Sequence, residues 1–134
     1  MSSDSVQLCL SRKTGEMLHR LRANRPLVHC ITNEVVQEFT ANVLLAAGAS
    51  PAMVVGEGEA EYFAGIASAL SVNVGTPYEA RIETMKKAIR GALAAGKPWV
   101  LDPVAAGGIP WRDKVIFELL EMQPTAATGS STHG

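Results

Sequence analysis

The chain has 134 residues, of which 47% are hydrophobic and 19% are charged, and these proportions exclude a disordered protein. Its 12 basic and 13 acidic residues give a formal net charge of −1, and no basic run forms a patch. That balance excludes the usual electrostatic attraction to nucleic acid or to an anionic membrane. The length suits one domain or a part of a larger one.

The cysteines and the N-terminal residues indicate the compartment. Cys9 and Cys30 have no metal-site spacing and are expected to be free thiols of a reducing compartment. The first 16 residues lack a basic stretch followed by a long apolar run, so they do not predict a signal peptide. No apolar run is long enough to span a bilayer. We expect a soluble cytoplasmic protein with no nucleic-acid or membrane partner.

Segments with helical periodicity alternate with short apolar segments along the chain. The helices are expected at residues 6–24, 33–47, 59–67, 78–95 and 111–122. The strands are expected at residues 27–31, 52–55, 70–74 and 99–101. Such short apolar strands are typical of a sheet covered on both faces. The alternation therefore predicts an α/β fold with a mostly parallel sheet and flanking helices.

Two expectations concern single elements. In the helix expected at residues 59–67, Tyr62, Phe63 and Ile66 form the apolar side. The last stretch, residues 125–134, reads TAATGSSTHG and is small and polar. It has no apolar run to support a fifth strand, so we expect an irregular end there.

Polar residues and glycines follow the expected strands at the points where they end. Parallel strands bring their carboxyl ends to one rim of the sheet, where α/β proteins bind ligands. These residues therefore form one candidate site. They are Thr32, Asn33, Met53, Gly56, Asn73, Gly75, Thr76, Asp102, Gly107 and Gly108.

The first residues of this set also have purely structural interpretations. Thr32 or Asn33 can cap the following helix, which does not exclude contact with a ligand. Met53, expected on an apolar strand, is more often a core residue than a ligand contact. Asn73 can satisfy neighbouring backbone, and Gly75 can simply permit a turn.

Asp102 is the strongest single candidate in the set. It directly follows an apolar strand, precedes Pro103 and is followed by glycines, which suits a magnesium or phosphate-side role. The alternative is an Asx-type turn. His29 lies inside an apolar strand and is interpreted as a core histidine with satisfied hydrogen bonds rather than a base. Cys30 is interpreted as a small buried hydrophobic residue.

Familiar nucleotide-binding motifs do not fit this sequence. The segment Gly56-Glu57-Gly58 is followed by further acidic residues, so it is not GxGxxG, and its charge would repel a pyrophosphate. The sequence contains no GxxxxGK[ST], no CxxC pair and no Ser/His/Asp order. A plain Rossmann-type nucleotide binder is therefore disfavoured. The residues by themselves support an α/β domain with a rim that binds a small molecule.

Four segments in series closely resemble the hydroxyethylthiazole kinases of thiamine salvage. They are PLVHCITN (26–33), TANVLLAAGASPAM (40–53), VNVGT (72–76) and KPWVLDPVAAGG (97–108). The resemblance runs from about residue 26 to residue 125. It implies a ribokinase-like α/β fold, truncated here to a single partial domain over residues 1–134, with an atypical tail at 125–134.

The resemblance also implies an activity and a set of site residues. The family transfers a phosphoryl group from ATP, with Mg²⁺, to the hydroxyl of 4-methyl-5-(2-hydroxyethyl)thiazole. By this resemblance, Asn33 and Gly75 lie on the thiazole side and Met53 binds substrate largely through its backbone. Asp102 corresponds to an aspartate on the magnesium and phosphate side. A homotrimer with thiazole sites at subunit boundaries is implied.

The sequence departs from the family pattern near its C-terminal end. Where family members read Arg-Gly-Asn-x-x-Glu, Thr128 occupies the position of the ATP-contacting arginine, and His133 that of the glutamate near magnesium. The family's catalytic base lies in a later segment, and Cys9 and Cys30 lie too early to correspond to it. Family members are also considerably longer. The alternative interpretation is a catalytically inactive, truncated thiazole-binding or interaction module.

Overall fold

The computed structural model describes residues 2–128, which form one five-stranded sheet and five helices. The strands are β1 Leu27–Ile31, β2 Ser50–Ala52, β3 Ala69–Asn73, β4 Trp99–Asp102 and β5 Ala126–Ala127. The helices are α1 Ser3–Asn24, α2 Gln37–Ala47, α3 Ala60–Ile66, α4 Glu79–Ala94 and α5 Pro110–Leu120. The predicted alternation of strands and helices is confirmed.

The sheet is parallel throughout, with strand order β2-β1-β3-β4-β5. Each connection between parallel neighbours contains a helix, as parallel pairing requires. Because all strands run in one direction, their carboxyl ends lie along one rim. That rim carries the polar residues selected from the sequence.

The core lies between the sheet and helices α3, α4 and α5. Its fully buried large side chains include Leu70 and Leu101 from the sheet, Met85 and Ile89 from α4, and Leu119 from α5. Burying one such side chain contributes about 1.5–3 kcal/mol. The described residues of α1 and α2, by contrast, include none that is buried. Within residues 2–128, no helix combines the length and apolar character needed to cross a bilayer.

The buried side of α3 differs from the prediction. Of the three predicted residues, Phe63 is half-buried, but Tyr62 and Ile66 are exposed, at 74% and 54%, whereas Ala60 and Ala64 are completely buried. The reason is the close approach of α3 to α4. At Gly91 of α4, a Cβ atom would overlap the carbonyl oxygen of Glu61, so only small side chains fit between the two helices.

The boundaries of β2 and α2 also differ from the prediction. The second strand was expected at 52–55 but spans 50–52, so Met53 follows the strand instead of lying within it. The expected helix start at Asn33 is also wrong, because residues 34–36 form a turn and α2 begins at Gln37. Both shifts lengthen the loops at the rim of the sheet.

A fifth strand exists where the sequence predicted an irregular end. The Thr125 N–H donates to the Trp99 carbonyl at 2.9 Å, and the Thr128 N–H donates to the Leu101 carbonyl at 2.8 Å. The edge of β4 offers backbone groups that Ala126 and Ala127 can pair with, whatever their side chains. The expected absence of a fifth strand was therefore wrong. Residues 129–134, including His133, lie outside the described residues.

The contact between α3 and α4 gives a direct test of packing. We expect Gly91→Ala to lower the free energy of unfolding by about 1–3 kcal/mol, because the new methyl group must push the helices apart. Urea denaturation measures the change. Gly15→Ala in α1 is the control: nothing lies within 4 Å of its Cβ position, so stability should stay unchanged or rise by up to about 1 kcal/mol. Equal effects at the two positions would contradict the packing assignment.

Candidate functional site

The rim brings together polar residues from three neighbouring strands. Asn73 ends β3 and Asp102 ends β4, and the two residues are paired in register across the sheet. Asn33 lies two residues beyond the end of β1, on the other side of β3. The sequence placed these residues near one another, and the structure joins them directly.

A continuous line of hydrogen bonds crosses the three strand ends. The Asn33 Nδ2 donates to Asn73 Oδ1 at 2.9 Å, and the Asn73 Nδ2 donates to Asp102 Oδ2 at 2.9 Å. The Asn73 Oδ1 also accepts from the Gly75 N–H at 2.8 Å. We call Asn33, Asn73 and Asp102 the polar line. It fixes three side chains that would otherwise rotate freely at the rim.

Asn33 also supports the backbone, but not as the N-cap of the following helix that the sequence suggested. Its Oδ1 accepts from the Val36 N–H at 3.1 Å, which closes the turn before α2. The helix begins after Val36, so Asn33 caps this turn and is not the N-cap of α2 itself. Its amide nitrogen remains directed into the polar line.

Gly75 is required for space. A Cβ atom there would lie 2.5 Å from Asn33 Nδ2 and 3.0 Å from Asn73 Oδ1. Gly75 itself does not have a left-handed backbone conformation. In this loop Thr76 adopts that conformation, with φ of 48°. Gly75 therefore permits the close approach of the loop to the polar line.

Asp102 has one engaged and one unengaged oxygen. Its Oδ2 accepts from Asn73, whereas its Oδ1 is buried and has no hydrogen-bond partner among the described residues. The Asp102 side chain therefore bonds to the neighbouring strand. The turn after β4 uses the main-chain oxygen of Asp102 instead, which accepts from the Val104 N–H at 3.0 Å. A buried carboxylate oxygen without a hydrogen-bond partner destabilises the folded chain unless a bound ion or ligand interacts with it.

The donor set around Asp102 bears on magnesium. The described residues contain no cluster of three or more His, Cys, Asp or Glu side chains able to hold a metal ion. Mg²⁺, however, is commonly bound by one or two carboxylates together with water and substrate phosphates. A single aspartate with a spare oxygen fits that mode of binding and does not fit a site made entirely of protein ligands.

The other candidate residues lie outside the polar line. Met53 is half-buried just beyond β2, at the outer end of the rim next to β1. Gly107, with φ of 85°, donates its N–H to Asp113 Oδ1 at 2.7 Å and so shapes the loop after β4. The Thr128 N–H donates to the Leu101 carbonyl at 2.8 Å, and its hydroxyl lies 3.5 Å from the same oxygen. Cys9 is exposed on α1.

Arg81 is a rim residue that the sequence did not single out. Its side chain is only 11% exposed, and its Nη1 donates to the Thr32 carbonyl at 3.3 Å. It also lies 3.6 Å from Glu34 Oε1 and 5.4 Å from the ring centre of Tyr78. Arg81 thereby ties the first turn of α4 to the end of β1. In the sequence it was one of several charged residues of a helix, with no signal to distinguish it.

His29 and Cys30 are buried as predicted, but His29 is only partly satisfied, because its Nδ1 has no hydrogen-bond partner among the described residues. His29 is completely buried, with its Nε2 2.6 Å from the Val54 carbonyl and its ring 5.0 Å from Phe63 in an edge-on contact. Burial lowers the pKa of His29 and outweighs the opposing hydrogen bond to Val54. Burial also raises the pKa of Cys30 to about 11, so its thiol stays protonated. Cys30 is therefore unsuited to act as a nucleophile at neutral pH, and complete burial keeps His29 from contact with a ligand.

The buried histidine predicts a pH dependence of stability. Because its pKa is lower in the folded than in the unfolded chain, the unfolded chain binds the proton first. The free energy of unfolding should therefore fall as the pH drops below about 6.5, with a slope of at most about 1.4 kcal/mol per pH unit. Urea denaturation from pH 7.5 to 5 measures it.

Two variants separate His29 from the other titrating groups. His29→Gln retains a donor for the Val54 carbonyl but cannot titrate, so it should flatten the fall. His19→Gln makes the same chemical change on the exposed surface of α1 and is the matched control. An unchanged slope in His29→Gln would show that other groups cause the effect.

Comparison with known proteins gives the chain a family. The model of the hydroxyethylthiazole kinase family matches residues 18–132. A hydroxyethylthiazole kinase of Klebsiella pneumoniae is 57% identical over 118 residues, covering 88% of this chain and 46% of that protein. One of Escherichia coli is 49% identical over 127 residues, covering 95% of this chain and 48% of that protein. The chain thus spans about half the length of the curated relatives it matches.

A solved structure agrees with the sequence comparisons. The hydroxyethylthiazole kinase of Pyrococcus horikoshii matches with a TM-score of 0.81 and 46% identity, over 84% of this chain and 44% of that one. This match confirms the predicted α/β fold with its parallel sheet. On the family model, the relatives and the shared fold together, the chain belongs to the hydroxyethylthiazole kinase family.

Proposed function

We propose that this chain carries the thiazole side of a hydroxyethylthiazole kinase site and acts in the ATP-dependent phosphorylation of 4-methyl-5-(2-hydroxyethyl)thiazole in thiamine biosynthesis. The observation that carries the proposal is the polar line, because it links Asn33, which the family resemblance assigns to the thiazole side, to Asp102, which it assigns to the phosphate side. A kinase needs those two sides at a fixed separation, since phosphoryl transfer depends chiefly on positioning.

The thiazole would lie over the ends of β1, β2 and β3. Asn33 has a second amide hydrogen beyond the one donated to Asn73, and it can be offered to a ring nitrogen or a hydroxyl. The absence of a side chain at Gly75 leaves room for a flat ring to approach the backbone. Met53, half-buried at the next strand end, supplies backbone polar groups and a polarizable side chain.

The phosphates of ATP, the co-substrate of the family, would lie toward β4. Asp102 is the residue that would hold Mg²⁺ there, through the oxygen not engaged by Asn73. The ion, when bound, supplies charge neutralisation at the phosphate oxygens. Asp102 sets the place of that positive charge, and Asn73 keeps the carboxylate from turning away.

Thr128 supports a second candidate function, which is thiazole binding without phosphoryl transfer. Its N–H donates to the Leu101 carbonyl at 2.8 Å and its hydroxyl lies 3.5 Å from the same oxygen, so Thr128 is held beside β4. It offers no cation to a phosphate at the position where an arginine is expected. Thiazole binding that is unaffected by ATP and magnesium would favour this second function.

Calorimetry with 4-methyl-5-(2-hydroxyethyl)thiazole tests the proposed site. We expect the purified chain to bind, and Asn33→Ala to weaken binding about tenfold, because one polar contact and the orientation of the loop are lost. Asn24→Ala, at the exposed end of α1, is the matched control and should leave the affinity unchanged. A repeat with ATP and Mg²⁺ separates the two candidate functions. Equal thiazole affinity in the native chain, Asn33→Ala and Asn24→Ala would refute a site at Asn33.

We further propose that the protein assembles as a homotrimer in which α2 contributes to the subunit boundary. Large apolar side chains project from α2 and the turn before it, with Val35 exposed at 84%, Phe39 at 70% and Leu45 at 58%. Clusters of exposed apolar residues are typical of protein interfaces. The same turn contains Asn33, which would place the thiazole site at the boundary between subunits.

Analytical ultracentrifugation tests the assembly. Phe39→Asp should shift the population toward monomers, because a charge buried at an interface without a partner costs several kcal/mol. Phe117→Asp places the same charge on α5, where Phe117 is also exposed, at 66%, and should leave the assembly unchanged. A wild-type chain that sediments as a monomer would rule out the trimer.

The cytoplasm is the compartment we propose. Neither Cys9 nor Cys30 forms a disulfide in the described part of the chain. Free thiols are typical of a reducing compartment.

A further inference from the structure

We propose that Asn73 is a positioning residue that couples Asn33 to Asp102, so that the two sides of the site are held at a fixed separation. The proposal rests on the proposed function for the meaning of the two sides, but the coupling itself depends only on the hydrogen bonds. Asn73 stands at the end of the central strand β3, with Asn33 beyond one neighbouring strand and Asp102 on the other.

Asn73 is held by three hydrogen bonds that use both ends of its amide. Its Oδ1 accepts from Asn33 Nδ2 at 2.9 Å and from the Gly75 N–H at 2.8 Å. Its Nδ2 donates to Asp102 Oδ2 at 2.9 Å. An asparagine reaches both neighbours at once because it carries a donor and an acceptor on one planar group.

The direction of the amide is fixed by its partners. The Gly75 N–H can only donate, so the atom facing it must be Oδ1. An ionised carboxylate can only accept, so the atom facing Asp102 must be Nδ2. Rotating the amide by 180° would replace attractive contacts by an N–H facing an N–H and an oxygen facing a carboxylate. Asn73 therefore has one stable orientation.

The fixed direction extends beyond Asn73. Asn33 must present Nδ2 to Asn73, which leaves its Oδ1 for the Val36 N–H at 3.1 Å. The bonds run in one sense from Val36 through Asn33 and Asn73 to Asp102. Hydrogen bonds arranged head to tail strengthen one another. A change at Asp102 should therefore be felt at Asn33, although the two side chains have no direct hydrogen bond with each other.

A spectroscopic experiment tests the coupling without any ligand. The chain contains four asparagines, at positions 24, 33, 42 and 73, so labelling with [¹⁵N]asparagine gives a simple spectrum of side-chain amides. We expect Asp102→Ala to shift the Asn33 amide resonances in the otherwise native chain. The same substitution should not shift them in an Asn73→Ala background. Asn24 and Asn42 serve as internal references.

The result that would overturn the proposal is equally direct. If Asp102→Ala moves the Asn33 resonances in both backgrounds, the coupling does not pass through Asn73. If it moves them in neither background, there is no coupling. Both results hold whether or not the chain binds thiazole, so the failure of this proposal is distinguishable from the failure of the proposed function.

A charge exchange tests the same inference through ligand affinity. Asn73→Asp places a second carboxylate against Asp102, and we expect thiazole affinity to fall about tenfold. Adding Asp102→Asn restores a donor and an acceptor between the two positions with their direction reversed. Residue 73 still offers an acceptor to Asn33 and Gly75. Affinity should return to within about twofold of the native value.

The double variant also allows a measurement that distinguishes a positioning role of Asn73 from a purely structural one. Thiazole affinity should recover. Any effect of Mg²⁺ and ATP on that affinity should not recover, because the carboxylate now stands at position 73 instead of position 102. Asn24→Asp, with the same chemical change on α1, is the control and should bind like the native chain. A double variant that binds as weakly as Asn73→Asp would overturn the proposal.

Discussion

The hydrogen bond between Asn73 and Asp102 joins the ends of two strands whose interiors are almost entirely apolar. Val72 and Leu101, one residue earlier, are completely buried and paired in register. The hydrophobic core therefore fixes the positions of the two backbones, and these positions set the distance between the polar side chains at the strand ends. This is how a parallel sheet provides a precise site: packing sets the spacing, and the first polar residues past the core make use of it.

The periodic elements of this fold could be predicted from the sequence, because burial imposes a pattern on side chains. The β1 bounds were predicted correctly, and those of β3 and β4 to within one residue, since these strands read as apolar runs. The grouping of Asn33, Asn73, Gly75 and Asp102 at one rim followed from their positions after the strands. The hydrogen bonds that join them did not, because amide directions depend on partners distant in sequence.

The remaining errors have physical causes that no local pattern carries. Backbone pairing with the edge of β4 forms β5, so its alanines gave no signal. The burial of Ala60 and Ala64 in place of Tyr62 and Ile66 follows from the closeness of α3 to α4 at Gly91. Arg81 was missed because its importance depends on the Thr32 carbonyl, 49 residues away in sequence.

The two sides of the rim differ in how firmly the fold holds them. Asp102 extends from β4, which packs into the core with α4 and α5, whereas Met53 and Asn33 border α2, where no described residue is buried. Two buried or nearly buried polar side chains compensate for this. His29 binds the Val54 carbonyl, next to Met53, and Arg81 binds the Thr32 carbonyl, next to Asn33. The first ties the backbone next to Met53 to β1, and the second ties the backbone next to Asn33 to α4, so these hydrogen bonds help to fix the less packed side of the rim.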